Sequence, residues 1–501
     1  MTRSFKVLTA LVVGLFYASV AGIAVQKSFD VKSGASTSGA SLRTGTGVIE
    51  GSAGDVANGS TSGDAAGNGG TGGSSTSGSG ATATAGGTAT AGGITTGGGS
   101  TRTAATTKAA APTLVVGIHD TNAGAAFSQY GVKGGPSGDQ GPWIKEVQDW
   151  INAHGGMGGR HLDLVTHITQ SLQGTFDQQA EEACVDFTED HHVAVVLGGA
   201  LVPTLTLADC LARHKTPLVW NYDFMADRSA FARYADYLYM PAMAEAERLG
   251  GWIDTVADAG YFDKGTVGII RYDEPLSQHL SDAVIKPRMA ARGVKVTDEI
   301  AFRGATGAAS AADLSAQSNS AILRFQSEGI NRVVLLPTAA VLPLLFFTAA
   351  QAQNYHPRYT YTSFDVPEFQ TENTGASQLA GSMAYGWIPA GDVKYAQDTP
   401  NAAAKLCVAI THDATPEGNG SIRRYCDGLM FLKFVFDHGA DPSVAGMRRA
   451  IESLGDSYQS AWTFSTVMSA QRHDGAAAAR LVLYDNGCSC YQYAGPPRPI
   501  S

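Results

Sequence analysis

The sequence predicts an α/β protein of two similar lobes, each built on a parallel sheet. Two observations predict it. Short apolar runs alternate with helix-period segments through one series from Thr113 to Trp220. A second series of the same kind follows Pro241. Strand, crossover, strand repetition of this sort makes a parallel, doubly wound sheet.

The first series opens with Thr113–Ile118, an apolar run of the kind buried on both faces of a parallel sheet. Trp143, Ile144, Val147, Trp150 and Ile151 recur at helical spacing, with Gly141-Pro142 at the start and Gly155-Gly156 at the end. Strands are expected at His161–His167, Val193–Leu197 and Pro217–Trp220, with helices at Phe176–Phe187 and Pro203–His214 between them. The second series reads as helix Ala242–Ala259, strand Thr266–Ile270, helix Ser277–Arg292 and strand Val294–Ile300. It continues with helix Ala311–Glu328, strand Arg332–Leu336, helix Ala340–Gln353 and strand Tyr359–Ser363. The remaining residues hold helices at Ser421–His438 and Pro442–Ser453 and strand-like pieces at Ser382–Trp387 and Arg480–Tyr484, which complete both lobes.

Composition separates this folded part from what precedes it. Residues 31–112 hold 22 of the 60 glycines and no Phe, Trp or Tyr. Such a stretch cannot bury enough apolar surface to offset its ordering entropy and is expected to be a disordered linker. Before it, Arg3 and Lys6 precede an uncharged run from Val7 to Val25. That is a basic region followed by a long apolar one, so 1–30 is expected to be a signal peptide or an uncleaved membrane anchor. Either places the rest outside the cytoplasm, secreted or tethered to the cell membrane. Residues 1–112 carry seven Lys/Arg and four Asp/Glu out of 35 and 45, leaving 28 and 41 and a net charge of −13 for the folded part. That balance argues against nucleic acid as a partner. The six cysteines, an even number behind an export signal, point to disulfides.

Catalytic signatures are missing from 113–501. No G-x-S-x-G, Walker A, H-E-x-x-H or strand-following G-x-G-x-x-G occurs, so neither an enzyme nor a cofactor is expected. Gly155–Arg160 is glycine-rich but follows a helix, which makes it a C-cap and turn rather than a phosphate cradle. His191-His192 lacks a third ligand nearby in sequence, so no metal is expected there. The chemistry instead gathers where expected strands end, which is where open α/β sheets bind ligands. These loops are His119–Asn122 with Ser128–Tyr130, Gly198–Ala200, Asn221–Asp223, Arg271–Asp273, Pro337-Thr338 and Asp365. Together they fit a site for a small polar solute between lobes.

From about 113 onward the chain resembles the type I periplasmic binding proteins, in particular the branched-chain amino-acid (Leu/Ile/Val) binding branch that serves ABC transporters. The resemblance rests on Trp150–Val165 (WINAHGGMGGRHLDLV), Ser128–Gly131 (SQYG), Ala194–Gly199 (AVVLGG) and Thr266–Ile270 (TVGII). It implies two Rossmann-like lobes joined by a hinge of three crossovers. The lobes would comprise 113–240 with 376–465, and 241–375 with 466–501. It implies a monomer that captures a small polar solute, an amino acid or related amine or amide, for an ABC permease. The alternative is a membrane-tethered sensor of the same fold.

Carried over by position, Tyr130 stands where the family places an aromatic over the ligand. Gly199, Ala200 and Leu201, with Asn221, Tyr222 and Asp223, stand where it binds a carboxylate. Thr338 stands near an aromatic contact, Asp365 where a Glu holds an ammonium, and Asp273 completes the candidate set. Leu201-Val202 replaces expected serines, and Tyr222-Asp223 replaces a small residue and a Thr. An acceptor-only Asp repels a carboxylate, which points away from a plain aliphatic amino acid. The resemblance also implies a Cys184–Cys210 disulfide. Cys407–Cys426 is expected as a second, and the pairing of Cys488 and Cys490 stays open.

Limited proteolysis of the full chain is expected to leave a resistant fragment that starts near Thr113 and still folds. A resistant linker, or a head that unfolds once trimmed, would contradict this.

Overall fold

The structure is a computed structural model. It describes residues 111–122, 133, 140–170, 174–198, 204–221, 225–303, 309–338, 340–394, 400–412 and 416–501. The expected leader and nearly all of the linker lie outside the described residues. Among the described residues no helix is long and apolar enough to cross a membrane.

The first lobe carries a five-stranded parallel sheet in the order β2-β1-β3-β4-β5. Its strands are β1 (Thr113–Asn122), β2 (His161–Gln170), β3 (Val195–Gly198), β4 (Leu218–Trp220) and β5 (Leu238–Tyr239). The interior of β1 is almost wholly buried, as a parallel strand covered on both faces must be. Helices α1 (Gly141–Ala153), α2 (Phe176–Val185), α3 (Thr206–Arg213) and α4 (Arg228–Arg233) make the crossovers. α1 ends in the glycine-rich turn expected of Gly155–Arg160. Gly156 has φ +72°, and a Cβ there would stand 1.9 Å from the Arg160 carbonyl oxygen, so only glycine fits.

The second lobe carries seven strands in the order β12-β11-β10-β9-β8-β6-β7. Helices α5 (Gly250–Asp258), α6 (Pro275–His279), α7 (Lys286–Ala291), α8 (Ala309–Ser327) and α9 (Val341–Ala352) alternate with β6 (Val267–Tyr272), β7 (Val296–Phe302), β8 (Arg332–Leu335) and β9 (Arg358–Thr362). Three short helices follow: α10 (Pro367–Asn373), α11 (Ala376–Leu379) and α12 (Pro389–Asp392). β10 (Met383–Gly386) pairs in parallel with β9 and antiparallel with β11 (Ala478–Asp485), which in turn pairs antiparallel with β12 (Cys490–Pro499). β12 is an edge strand and contains Pro496, Pro497 and Pro499. The boundary expected at 376 therefore moves: β10 stays in the second sheet, and the return to the first lobe comes after α12. That return supplies α13 (Ala402–Thr411), α14 (Pro416–Asp437) and α15 (Val444–Glu452). Their apolar faces pack with α1 on one side of the first sheet.

The helix expected over Ala242–Ala259 is shorter. Residues 246–249 form a 3₁₀ turn and the α-helix begins at Gly250. Upstream of the turn, backbone groups bond across to a distant segment instead. Met240 N–H donates to the His473 carbonyl, Gly475 N–H to Met240 and Ala476 N–H to Met243. Here two hinge segments run backbone to backbone. A Cβ on Gly475 would lie 2.0 Å from the Pro241 carbonyl oxygen. Asp474, 1% exposed, anchors this crossing: it accepts from the Glu245 N–H at 3.1 Å and pairs with Arg248 Nε at 3.1 Å. Burial pushes its carboxyl up to about 6.

Both expected disulfides are present. Cys184–Cys210 ties α2 to α3 and Cys407–Cys426 ties α13 to α14. Cys488 and Cys490 are joined across the β11–β12 turn. Removing Cys184–Cys210 as a double serine variant is expected to lower unfolding stability by about 3 kcal/mol, the chain-entropy value for a loop of this length. Denaturant titration of the oxidised variant pair checks it, and an unchanged midpoint would refute it.

Candidate functional site

The C-terminal ends of β6, β8 and β9, neighbours in the second sheet, bring Tyr272, Thr338 and Asp365 to one end of it. Asp365 is fully buried. Its Oδ1 accepts from the Thr338 N–H at 3.0 Å, the Thr338 hydroxyl at 2.8 Å and the Ala340 N–H at 3.4 Å. Its Oδ2 has no partner among the described residues. Burial pushes the carboxyl up to about 7 despite the bonds from Thr338. The Tyr272 hydroxyl, close to Asp365 and Glu274, is itself raised by burial, and burial raises the Glu274 carboxyl.

The backbone that presents Asp365 is strained. Val366 has φ +47°, a left-handed conformation that is an outlier for a β-branched residue. Gln370 of α10 holds the bend, donating to the Asp365 carbonyl at 2.9 Å and the Ala340 carbonyl at 3.2 Å. Three residues on, Asn373 reaches the first lobe. Its Oδ1 accepts from the Lys133 N–H and its Nδ2 donates to the Lys133 carbonyl, both at 2.8 Å.

In the first lobe the strand ends carry a buried polar floor. Asp120, near the end of β1, takes the Arg424 guanidinium of α14 at 3.2 Å and the hydroxyl of Tyr425. All three are buried, and the Arg424 guanidinium carbon lies 4.7 Å from the Tyr425 ring centroid. Asn221, after β4, donates to Asp427 Oδ2 at 2.8 Å and to the Arg424 carbonyl at 3.3 Å. Asp427 also accepts from Ser460 Oγ, the Tyr458 hydroxyl and the Ala461 N–H, each at 2.7 Å. Burial raises its carboxyl, and these bonds oppose the rise. His119 is fully buried, bonds Thr169 at 2.8 Å, and is held at about 3 by burial and by nearby His167, so it is a neutral part of the core.

Of the sequence-predicted residues, the structure joins Thr338 to Asp365 and ties Asn221 into the Asp427 network. Asp273 stays apart: its side chain is 60% exposed and lies 4.0 Å from Arg271. Tyr130, Gly199, Ala200, Leu201, Tyr222 and Asp223 lie outside the described residues. Sequence reasoning missed Arg424, Tyr425 and Asp427, which sit in the middle of a long helix with no local signal. It also passed over Glu274 and Gln370. An open cavity of about 340 Å³ lies against Val193, Ala194 and Thr216. These precede β3 and β4, at the opposite end from the polar loops, and the cavity plays no part in this site.

A family model described as periplasmic binding protein matches residues 144–488. No curated protein matches the chain in sequence. Among solved structures, one similar fold is a solute-binding protein of an ABC transporter from R. palustris in complex with 4-hydroxybenzoate, with 14% identity and a TM-score of 0.59 over 78% of this chain and 98% of that one. Another is a branched-chain amino-acid ABC transporter protein from Thermus thermophilus with bound valine, with 13% identity and a TM-score of 0.56 over 78% and 97%. A third, from Streptococcus pneumoniae in complex with isoleucine, has 13% identity and a TM-score of 0.53 over 77% and 100%.

Replacing Arg424 with Met is expected to destabilise the fold by about 3 kcal/mol, because it leaves Asp120 buried without its cation. Thermal and denaturant unfolding check this. A loss under about 1 kcal/mol would mean that Asp120 is not held as a charge.

Proposed function

Because the chain belongs to the periplasmic binding protein family, we propose that it captures a small solute bearing an amine or comparable donor and hands it to an ABC permease. The carrying observation is Asp365. One of its oxygens accepts from Thr338 and Ala340, while the other is buried without a partner among the described residues. An unpaired buried carboxylate is costly, and a cationic or donor-rich group set against it removes that cost. The strained bend at Val366 supports the same reading, since strain of this kind persists where surrounding structure holds it and gathers at binding sites. The similar folds named above hold valine, isoleucine and 4-hydroxybenzoate, so the architecture accepts solutes with and without an amine. Asp365 would choose between them here. Tyr272 beside it would supply a ring wall.

Ligand is sought first by thermal shift with amino acids, amides and small amines, where a compound at a hundred times its Kd stabilises by about 2.7 kcal/mol. The pH dependence then tests the role of Asp365. An ammonium solute needs the carboxylate ionised, and burial has raised that carboxyl to about 7. Affinity is therefore expected to climb as pH rises through this range and to level off above it. Asp365→Asn is expected to remove the climb and weaken binding by about 1.5 kcal/mol or more, roughly tenfold. Calorimetry across pH reads both. Unchanged affinity with a lowered melting temperature would reduce Asp365 to a brace for the Thr338 loop.

A further inference from the structure

Beside the hinge, three side chains from three separate elements converge. Asp227 precedes α4 in the first lobe, Glu247 lies in the 3₁₀ turn that follows the crossing, and His279 closes α6 in the second lobe. One ligand-type atom from each lies within 4.8 Å of the other two. His279 Nε2 stands 3.1 Å from Glu247 Oε1. Ligands about 2.0–2.1 Å from a tetrahedral zinc stand roughly 3.3 Å from one another, so this pair already spans an edge of such a site.

The surroundings hold these groups in place. The Arg228 N–H donates to Glu247 Oε2 at 3.0 Å, which turns the other oxygen towards His279. Asp227 Oδ1 accepts from the Ala230 N–H and the Ser229 hydroxyl, which fixes that carboxylate at the helix cap. Backing of this kind orients metal ligands. The Arg228 guanidinium hydrogen-bonds Glu245, at 3.0 and 3.3 Å, rather than Asp227 or Glu247. Two carboxylates and one imidazole therefore converge, a nitrogen-and-oxygen set suited to a divalent transition metal. Glu247 is largely covered, and His279, 44% exposed, leaves a route for entry and for water as a fourth ligand.

We propose that Asp227, Glu247 and His279 form a zinc-class metal site that bridges the two lobes beside the hinge. A second His-containing group, Cys184, Cys210 and His214, lacks this capacity because its sulfurs are bonded to each other. Asp186 with His167 and His191 is a looser arrangement, with contacts of 2.8 and 3.4 Å and no third element supplying a ligand from the other lobe.

The test is a zinc titration of the full chain, freed of metal by chelator and dialysed, read by calorimetry and by competition with a chromophoric chelator. The expected result is one zinc per chain at this site. His279→Ala and Glu247→Gln should each weaken it at least tenfold. His214→Ala and His191→Ala should leave it unchanged. Circular dichroism and melting without zinc confirm that each variant is folded, and zinc should raise the melting temperature of the parent chain but not of His279→Ala. Absence of zinc binding by the parent chain, or binding by His279→Ala as tight as the parent's, overturns the proposal.

Discussion

Two stretches of backbone, 240–243 and 473–476, must pass each other at contact distance, and the lobes depend on how that crossing is made. The contact admits no side chain at Gly475, where a Cβ would meet the Pro241 carbonyl oxygen. Amide hydrogens that would otherwise continue a helix go instead to the partner segment. Asp474 then fastens the crossing from beneath with Arg248. One continuous apolar cluster runs through this region, from Leu218 and Trp220 in the first lobe, past Met240 and Met243, to Trp252 and Tyr385 in the second. A change of angle between lobes must therefore be absorbed within a few residues of the crossing, because the packed cores on either side resist deformation.

Polar groups at the strand ends fall into two kinds, and the contrast carries the functional reading. Asp427 has partners for both oxygens: Asn221, Ser460, Tyr458 and Ala461 surround it. A carboxylate satisfied on both oxygens in this way is held in one orientation by the fold itself. Asp365 is equally buried, but among the described residues only one of its oxygens has a partner. Both carboxyls are raised by desolvation, that of Asp365 to about 7. The contrast lies in how the donors are shared between the two oxygens of each carboxylate.

Much of the fold was legible because parallel strands buried on both faces appear as apolar runs, as Val195–Gly198 and the first four residues of β6 do. What escaped had physical reasons. β5 is two residues long, too short to show a period. The stretch 242–245, read as the start of a helix, is rich in Ala, Met and Glu, whose helical preference loses to hydrogen bonds from a segment some 230 residues away. β12 hides behind its prolines. At the site, Thr338 and Asp365 were legible because they directly follow strands. Arg424 was not, since its partner Asp120 is 304 positions distant and nothing in an isolated helix reveals which face will meet a buried acid. The disulfides sit between these cases. The even cysteine count is a sequence fact, but pairing depends on helices that come together only in the fold.

The prolines of β12 have a consequence of their own. An outermost strand normally offers a row of free amide hydrogens to any passing extended chain, and a protein that works outside the cytoplasm has no choice of neighbours. Pro496, Pro497 and Pro499 have no such hydrogens to offer, and Arg498 between them adds a charge. This margin of the larger sheet is therefore a poor template for a further strand. The same residues that hid the strand from sequence reading leave that side of the sheet short of the donors a further strand would need.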